Sequence, residues 1–132
     1  MSNIISTAPA TLAPEQLALL CAEHAASKKA EEVVVLDMRG LSGVADYFVI
    51  CSGTSEPHLK AIAGEIQEKL REDHQVKPNN VDGYPMSQWI VVDYYDVLVH
   101  IFHESKRSFY SLESLWNDAP RLPLPVPAAA SA

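Results

Sequence analysis

The chain has 132 residues, with 17 Asp or Glu against 10 Lys or Arg, and a formal net charge of −7. This length suits a single domain, and the acidic balance argues against a protein that holds nucleic acid through clustered Lys and Arg. Residues 1–14 contain no Lys or Arg, and no run approaches the ~18 apolar residues of a membrane span. We therefore expect a cytoplasmic protein without a signal peptide, transit peptide or membrane contact.

The folded body is expected over residues 14–119, between two tails. The N-terminal tail, residues 1–13, is rich in Ala, Thr and Ser, and the Pro/Ala-rich C-terminal tail, residues 120–132, holds four of the nine prolines. Alternating proline sustains neither a helix nor a β-ladder. The C-terminal tail is therefore predicted to be polyproline-like or disordered.

The first half of the body predicts a helix, two strands and a second helix. Pro14 opens the first helix, and residues 33–36 and 47–51 are apolar, mostly β-branched or aromatic runs, typical of strands buried on both faces. Ser55 can cap the second helix. Its apolar residues follow one helical stripe: Leu59, Ile62, Ala63, Ile66 and Leu70.

The second half predicts two strands and a last helix after a polar connection over residues 73–88. The strands cover residues 89–93 and 97–102, and residues 94–96 form a hairpin turn between them. The last helix is indicated by apolar residues at helical spacing before Pro120: Phe109, Leu112, Leu115 and Trp116. The order α-β-β-α-β-β-α predicts a single α/β domain with a mixed β-sheet flanked by helices.

The motifs of common enzymes and metal sites are missing from the sequence. It has no P-loop, no dinucleotide fingerprint, no His-Glu-x-x-His, no nucleophile elbow and no Cys-x-x-Cys. Metal-dependent nucleotidyl transfer needs converging carboxylates, typically at i and i+2 of one strand, and neither Asp37 nor Asp46 has such a partner. Asp93 and Asp96 flank a turn instead. We predict no catalytic residue, no metal and no cofactor, so the protein is not expected to be an enzyme.

A surface argument remains for residues 78–105, which contain no Lys or Arg. Aromatic side chains lie beside acidic ones there, which suits a protein-binding patch with aromatic anchors and acidic steering: Asp82, Trp89, Asp93, Tyr94, Tyr95, Asp96 and Glu104. In the alternative interpretation Trp89 packs in the core and the two tyrosines are half-exposed turn residues. The sequence leaves both open. His100 lies in an apolar run and is interpreted as a core or interface histidine.

Four segments, in order, resemble the ribosomal silencing factor (Iojap-like) family. They are DYFVICSGTS at 46–55, WIVVD at 89–93, DVLVHIF at 96–102 and RSFYSLESLW at 107–116. The resemblance extends from about residue 15 to residue 119. It implies a mixed α/β fold that is nucleotidyltransferase-like but lacks the catalytic carboxylates.

The resemblance also implies a function. Family members bind ribosomal protein uL14 on the large subunit, block its association with the small subunit and repress translation under nutrient limitation. No direct contact with nucleic acid is expected. The partner-facing residues carried over by motif are Trp89, Asp93, Tyr94 and Asp96, with His100 nearby. Arg107, Tyr110 and Glu113 match the C-terminal motif and are expected to brace the last helix or to contact the partner.

One departure from the family pattern affects the hairpin. Tyr95 stands where the family usually has Gly, so a turn that needs positive φ should be reshaped or mildly strained. Two other functions stay open: a metal-dependent nucleotidyltransferase using Asp37, Asp46 or Asp93, and a dimeric adaptor whose hairpin pairs with its own copy as a homodimer.

Overall fold

The computed structural model describes residues 12–41, 43, 45–83, 88–104 and 119–124. Over these residues the chain forms two helices and five strands. In chain order they are α1 (Pro14–Ser27), β1 (Glu31–Asp37), β2 (Tyr47–Gly53), α2 (Glu56–His74), β3 (Asn80–Asp82), β4 (Trp89–Asp93) and β5 (Val97–His103). Neither helix has the length and apolar character that crossing a bilayer requires.

The predicted last helix lies outside the described residues. The same holds for the three residues of the C-terminal motif, Arg107, Tyr110 and Glu113. Their roles as a structural brace or as interface contacts stay predictions.

The five strands form one mixed sheet in the order β1-β2-β5-β4-β3. Only β2 and β5 run parallel, and the other neighbours are antiparallel. The predicted mixed α/β architecture is therefore confirmed. Strand β3 was not predicted, because it has three residues within a polar connection and pairs with β4 alone.

Helices α1 and α2 share one hydrophobic core with one face of the sheet. All five residues of the predicted α2 stripe are buried, and the Ser55 Oγ accepts the His58 N–H at 3.2 Å at the start of that helix. Cys21 and Cys51 are buried free thiols in this core. The helical periodicity thus identified the buried face of α2 correctly.

His58 ties the turn after β2 to the end of α1. Its Nδ1 accepts the Thr54 N–H at 2.9 Å, and its Nε2 lies 2.7 Å from the Lys28 carbonyl oxygen. The first contact leaves Nε2 as the protonated nitrogen that donates to Lys28. Gly53 makes room for this arrangement, since a Cβ there would lie 2.7 Å from the Leu59 Cδ1.

The opposite face of the sheet carries a second, smaller cluster. Its buried residues come from three strands, from the loop between β1 and β2 and from the C-terminal end of the described chain: Leu36, Met38, Ala45, Phe48, Ile50, Phe102 and Ala119. Trp89 packs against this cluster while partly buried. Every residue of β2 is buried, as expected for a strand covered on both faces.

The proline-rich segment pairs with the outer edge of β1. Asp37 N–H donates to the Pro120 carbonyl at 2.8 Å, and Leu122 N–H donates to the Val35 carbonyl at 2.9 Å. The prediction of a polyproline-like or disordered tail is wrong at residues 120–122, which form an isolated β-bridge with β1. Proline is excluded only where its nitrogen must donate, and here Pro120 accepts. The domain boundaries at residues 13 and 119 stay predictions.

Ending the chain at Ala119 should destabilise it relative to a chain that ends at Leu124. Two backbone hydrogen bonds, each contributing about 1 kcal/mol, would be lost with the contacts of Leu122 and Leu124 against the core. We expect a loss of about 2–3 kcal/mol in the free energy of unfolding, measured by urea denaturation. Equal midpoints for the two chains would show that this edge pairing contributes nothing.

Candidate protein-binding surface

Strands β4 and β5 form the predicted hairpin. They pair from Asp93 opposite Leu98 to Trp89 opposite Phe102. In the turn, Tyr94 N–H donates to the Val97 carbonyl at 2.9 Å, which closes the hairpin after Asp93. The expected turn over residues 94–96 is confirmed.

Tyr95 takes up the strain expected at this turn. Its φ is 71°, a left-handed conformation that non-glycine residues seldom adopt. The Asp93 Oδ1 accepts the Tyr95 N–H at 2.7 Å, which holds the backbone in this conformation. The Tyr95 residue is 67 % exposed. Of the two expected outcomes, the turn is therefore mildly strained and not reshaped: Tyr95 adopts the left-handed conformation itself.

Tyr94 points the other way, into the core under α1. It is 4 % exposed, and burial raises the pKa of its hydroxyl, with a smaller contribution from the nearby Cys21 thiol. This placement contradicts the prediction that Tyr94 contacts the partner, because a partner cannot reach a side chain that is buried in the core. The signal was available in the sequence: Ile90, Val92 and Tyr94 continue one period-2 alternation toward the helices.

Trp89 and His100 lie together on the opposite face of the hairpin. The Trp89 Nε1–H donates to the His100 Nδ1 at 3.2 Å, and the indole stacks on Phe102 at 5.0 Å between ring centres. His100 also meets Phe48 edge-on at 4.9 Å. Trp89 is half-buried and His100 is 7 % exposed. Trp89 can thus present part of its ring to a partner, while His100 supports it from below.

Burial makes His100 a weak base. Removal from water lowers the pKa of its imidazole to about 4. Its Nε2 is buried and has no hydrogen-bond partner among the residues that the structure describes. At neutral pH the ring is therefore uncharged and accepts the Trp89 hydrogen bond through Nδ1.

Three acidic residues, Asp46, Asp93 and Asp96, lie at the turn end of the sheet. Asp96 is exposed, and its carbonyl accepts the N–H groups of Asp46 and Tyr47 at 2.8 and 3.1 Å. These bonds join the hairpin to the loop between β1 and β2. The exposed Leu41 lies on that loop, as a second large apolar side chain that the sequence reasoning did not select.

The enzyme alternative depends on carboxylates that could hold a metal ion. Over the described part of the chain, no group of three or more His, Cys, Asp or Glu residues is arranged to do so. The Asp37 carboxylate is bound by Arg39 through Nε at 2.9 Å and Nη2 at 2.7 Å. This hydrogen bonding lowers the pKa of Asp37. The Asp37 carboxylate is therefore engaged in an ion pair with Arg39.

The fold and this surface define the class: a small α/β domain with an exposed acidic and aromatic hairpin turn. The sequence model of the family described as "Ribosomal silencing factor during starvation" matches residues 11–132. The chain belongs to this ribosomal silencing factor family, a family of ribosome-associated regulators of translation.

Relatives and a solved structure agree with that assignment. The chain is 41 % identical over 110 residues to the ribosomal silencing factor of Halalkalibacterium halodurans, covering 83 % of this chain and 93 % of the relative. It is 45 % identical over 93 residues to that of Bacillus subtilis, covering 70 % and 78 %. A crystal structure of a Chromobacterium violaceum protein superposes with a TM-score of 0.76 at 26 % identity, over 87 % of this chain and 94 % of that one.

Proposed function

We propose that this protein binds ribosomal protein uL14 on the large subunit and sterically blocks association with the small subunit when nutrients are limiting. The supporting observation is the β4–β5 hairpin, which presents Trp89, Tyr95 and Asp96 in a stretch without any Lys or Arg. Docking needs no bond to be made or broken. A compact domain seated on uL14 would occupy space that the small subunit requires.

Electrostatics supports a basic partner for this face. The chain carries a net charge of −7, and Asp96 is exposed at the turn. Attraction to a basic ribosomal protein should raise the association rate and make binding sensitive to salt. The aromatic side chains would contribute most of the affinity that remains at high salt.

Co-sedimentation of the full chain with isolated large subunits, isolated small subunits and assembled ribosomes tests this function. We expect binding to free large subunits and inhibition of subunit association. Preferential binding to small subunits would overturn the proposal. Light scattering of the free protein tests the homodimer, which stays a prediction.

Asp96→Lys should weaken binding to large subunits about 10- to 100-fold at low salt, because it places a cation against a basic partner. Added salt should reduce the difference in affinity for large subunits between the variant and the wild type. Glu31→Lys is the matched control: it makes the same change in net charge at an exposed residue opposite Ser52, at the far end of the sheet. Equal weakening by both variants would mean that net charge, and not the position of Asp96 at the turn, determines binding.

A further inference from the structure

Tyr95 combines two features that do nothing for the fold. Its φ of 71° is unfavourable for any residue with a Cβ. Its ring is largely in water, since the residue is 67 % exposed, so burial of the ring does not compensate for that strain. A strained residue that exposes a large aromatic side chain is a candidate for a contact with something outside the chain.

The surroundings hold the backbone of the turn at Tyr95 in a defined conformation. The Asp93 carboxylate accepts the Tyr95 N–H at 2.7 Å on one side of the turn, and the buried Tyr94 anchors the turn from within. The Asp96 carbonyl binds the start of β2 through Asp46 and Tyr47. Little backbone freedom is therefore left to lose at this turn when a partner binds.

The chemistry around Tyr95 points to a cationic protein surface. Asp93 lies two residues before it and Asp96 directly after it in sequence, and the cationic Arg39 of the loop after β1 is bound to Asp37. A tyrosine ring beside carboxylates suits an arginine or lysine of a partner, which can stack on the ring while the acids balance its charge. Leu41, on the adjoining loop, supplies an exposed apolar side chain at the same end of the sheet.

We propose that Tyr95 is the principal aromatic anchor of this surface and receives a basic side chain of the protein partner, with Leu41 at the edge of the contact. This proposal rests on the proposed function, since it concerns the same docking surface. The aromatic contact that the sequence predicted at Tyr94 is thereby assigned to Tyr95.

Replacing Tyr95 by Gly separates binding from folding. Tyr95→Gly removes the ring and the left-handed strain together, so the melting temperature should stay equal or rise by about 2–4 °C. Binding to isolated large subunits and to purified uL14 should nevertheless weaken about tenfold. Tyr95→Asn, which tolerates the same φ, should weaken binding equally and controls for glycine flexibility. Tyr95→Phe keeps the ring and should bind within about twofold of wild type.

The outcomes distinguish this inference from the function on which it rests. If wild type binds large subunits and both Tyr95→Gly and Tyr95→Asn bind as tightly, Tyr95 is not the anchor, although the proposed function stands. If wild type does not bind large subunits at all, the proposed function fails and this proposal fails with it. Weakening in Tyr95→Gly alone would assign the effect to backbone flexibility and overturn the anchor.

Discussion

Lowering the pH from about 6.5 to 4 should remove about 3 kcal/mol of stability through His100 alone. Burial lowers the pKa of this imidazole from 6.5 to about 4. Above pH 6.5 both the folded and unfolded forms are neutral, so His100 contributes no pH dependence there. Between pH 6.5 and 4 the imidazole binds a proton in the unfolded chain but not in the folded chain. The free energy of unfolding therefore falls as the pH falls.

The surroundings of His100 explain why its imidazole stays neutral in the folded chain. The residues beside His100 in the neighbouring strands are Ile50 and Val91, and its ring contacts are Phe48, Trp89 and Phe102. None of these five carries a charge that could stabilise an imidazolium.

Urea unfolding at half-unit pH steps, with His100→Gln as the control, measures the effect. A glutamine oxygen can accept the Trp89 hydrogen bond but does not titrate. Wild type should lose about 3 kcal/mol more than His100→Gln across this window. Asp37 acts at lower pH, because Arg39 holds the pKa of its carboxyl below 3.8. Parallel curves for the two proteins would show that the pKa of His100 is the same in the folded and unfolded chains.

Tyr94→Ala should cost about 3–5 kcal/mol of stability, the usual range for deleting a buried aromatic side chain. Tyr94 is 4 % exposed within the main core. Tyr94→Phe should leave stability equal or raise it by about 1 kcal/mol. The hydroxyl that it removes is buried and unpartnered among the described residues, so no hydrogen bond is lost with it. Thermal unfolding of both variants provides the measurement.

Binding measurements on Tyr94→Ala and Tyr94→Phe distinguish a direct contact of Tyr94 from an indirect effect on the turn. Tyr94→Ala is expected to weaken binding only by disturbing the turn that presents Tyr95, whereas Tyr94→Phe should bind large subunits as wild type does. A stable Tyr94→Phe that binds weakly would instead make the hydroxyl a direct contact and contradict its placement in the core.

Most of the fold could be predicted, because its main elements have recognisable local sequence patterns. The α2 stripe follows from a period of 3.6, and β1, β2 and the β4–β5 hairpin follow from short apolar runs, each within a short window. Strand β3 and the pairing of residues 120–122 could not be predicted in this way. Both are edge pairings whose hydrogen bonds come from a neighbour distant in sequence, so their own residue patterns carry little signal.

The candidate site was predicted as a region but not residue by residue. Asp93 and Asp96 lie at the expected turn, and Trp89 reaches the surface in part. His100 and Tyr94 instead lie inside, where they support the hairpin. Composition cannot distinguish an aromatic anchor for a partner from an aromatic anchor for the core, since both require the same side chain.

The sequence by itself determined an acidic α/β domain, its family and the hairpin that carries its aromatic and acidic residues, because each depends on local pattern or on motifs in order. Only the tertiary structure decided that Tyr94 faces the core while Tyr95 faces solvent in a left-handed turn. It also decided that the proline-rich end covers the edge of β1. These outcomes depend on which surfaces meet when the helices pack on the sheet, and that is a property of the whole chain.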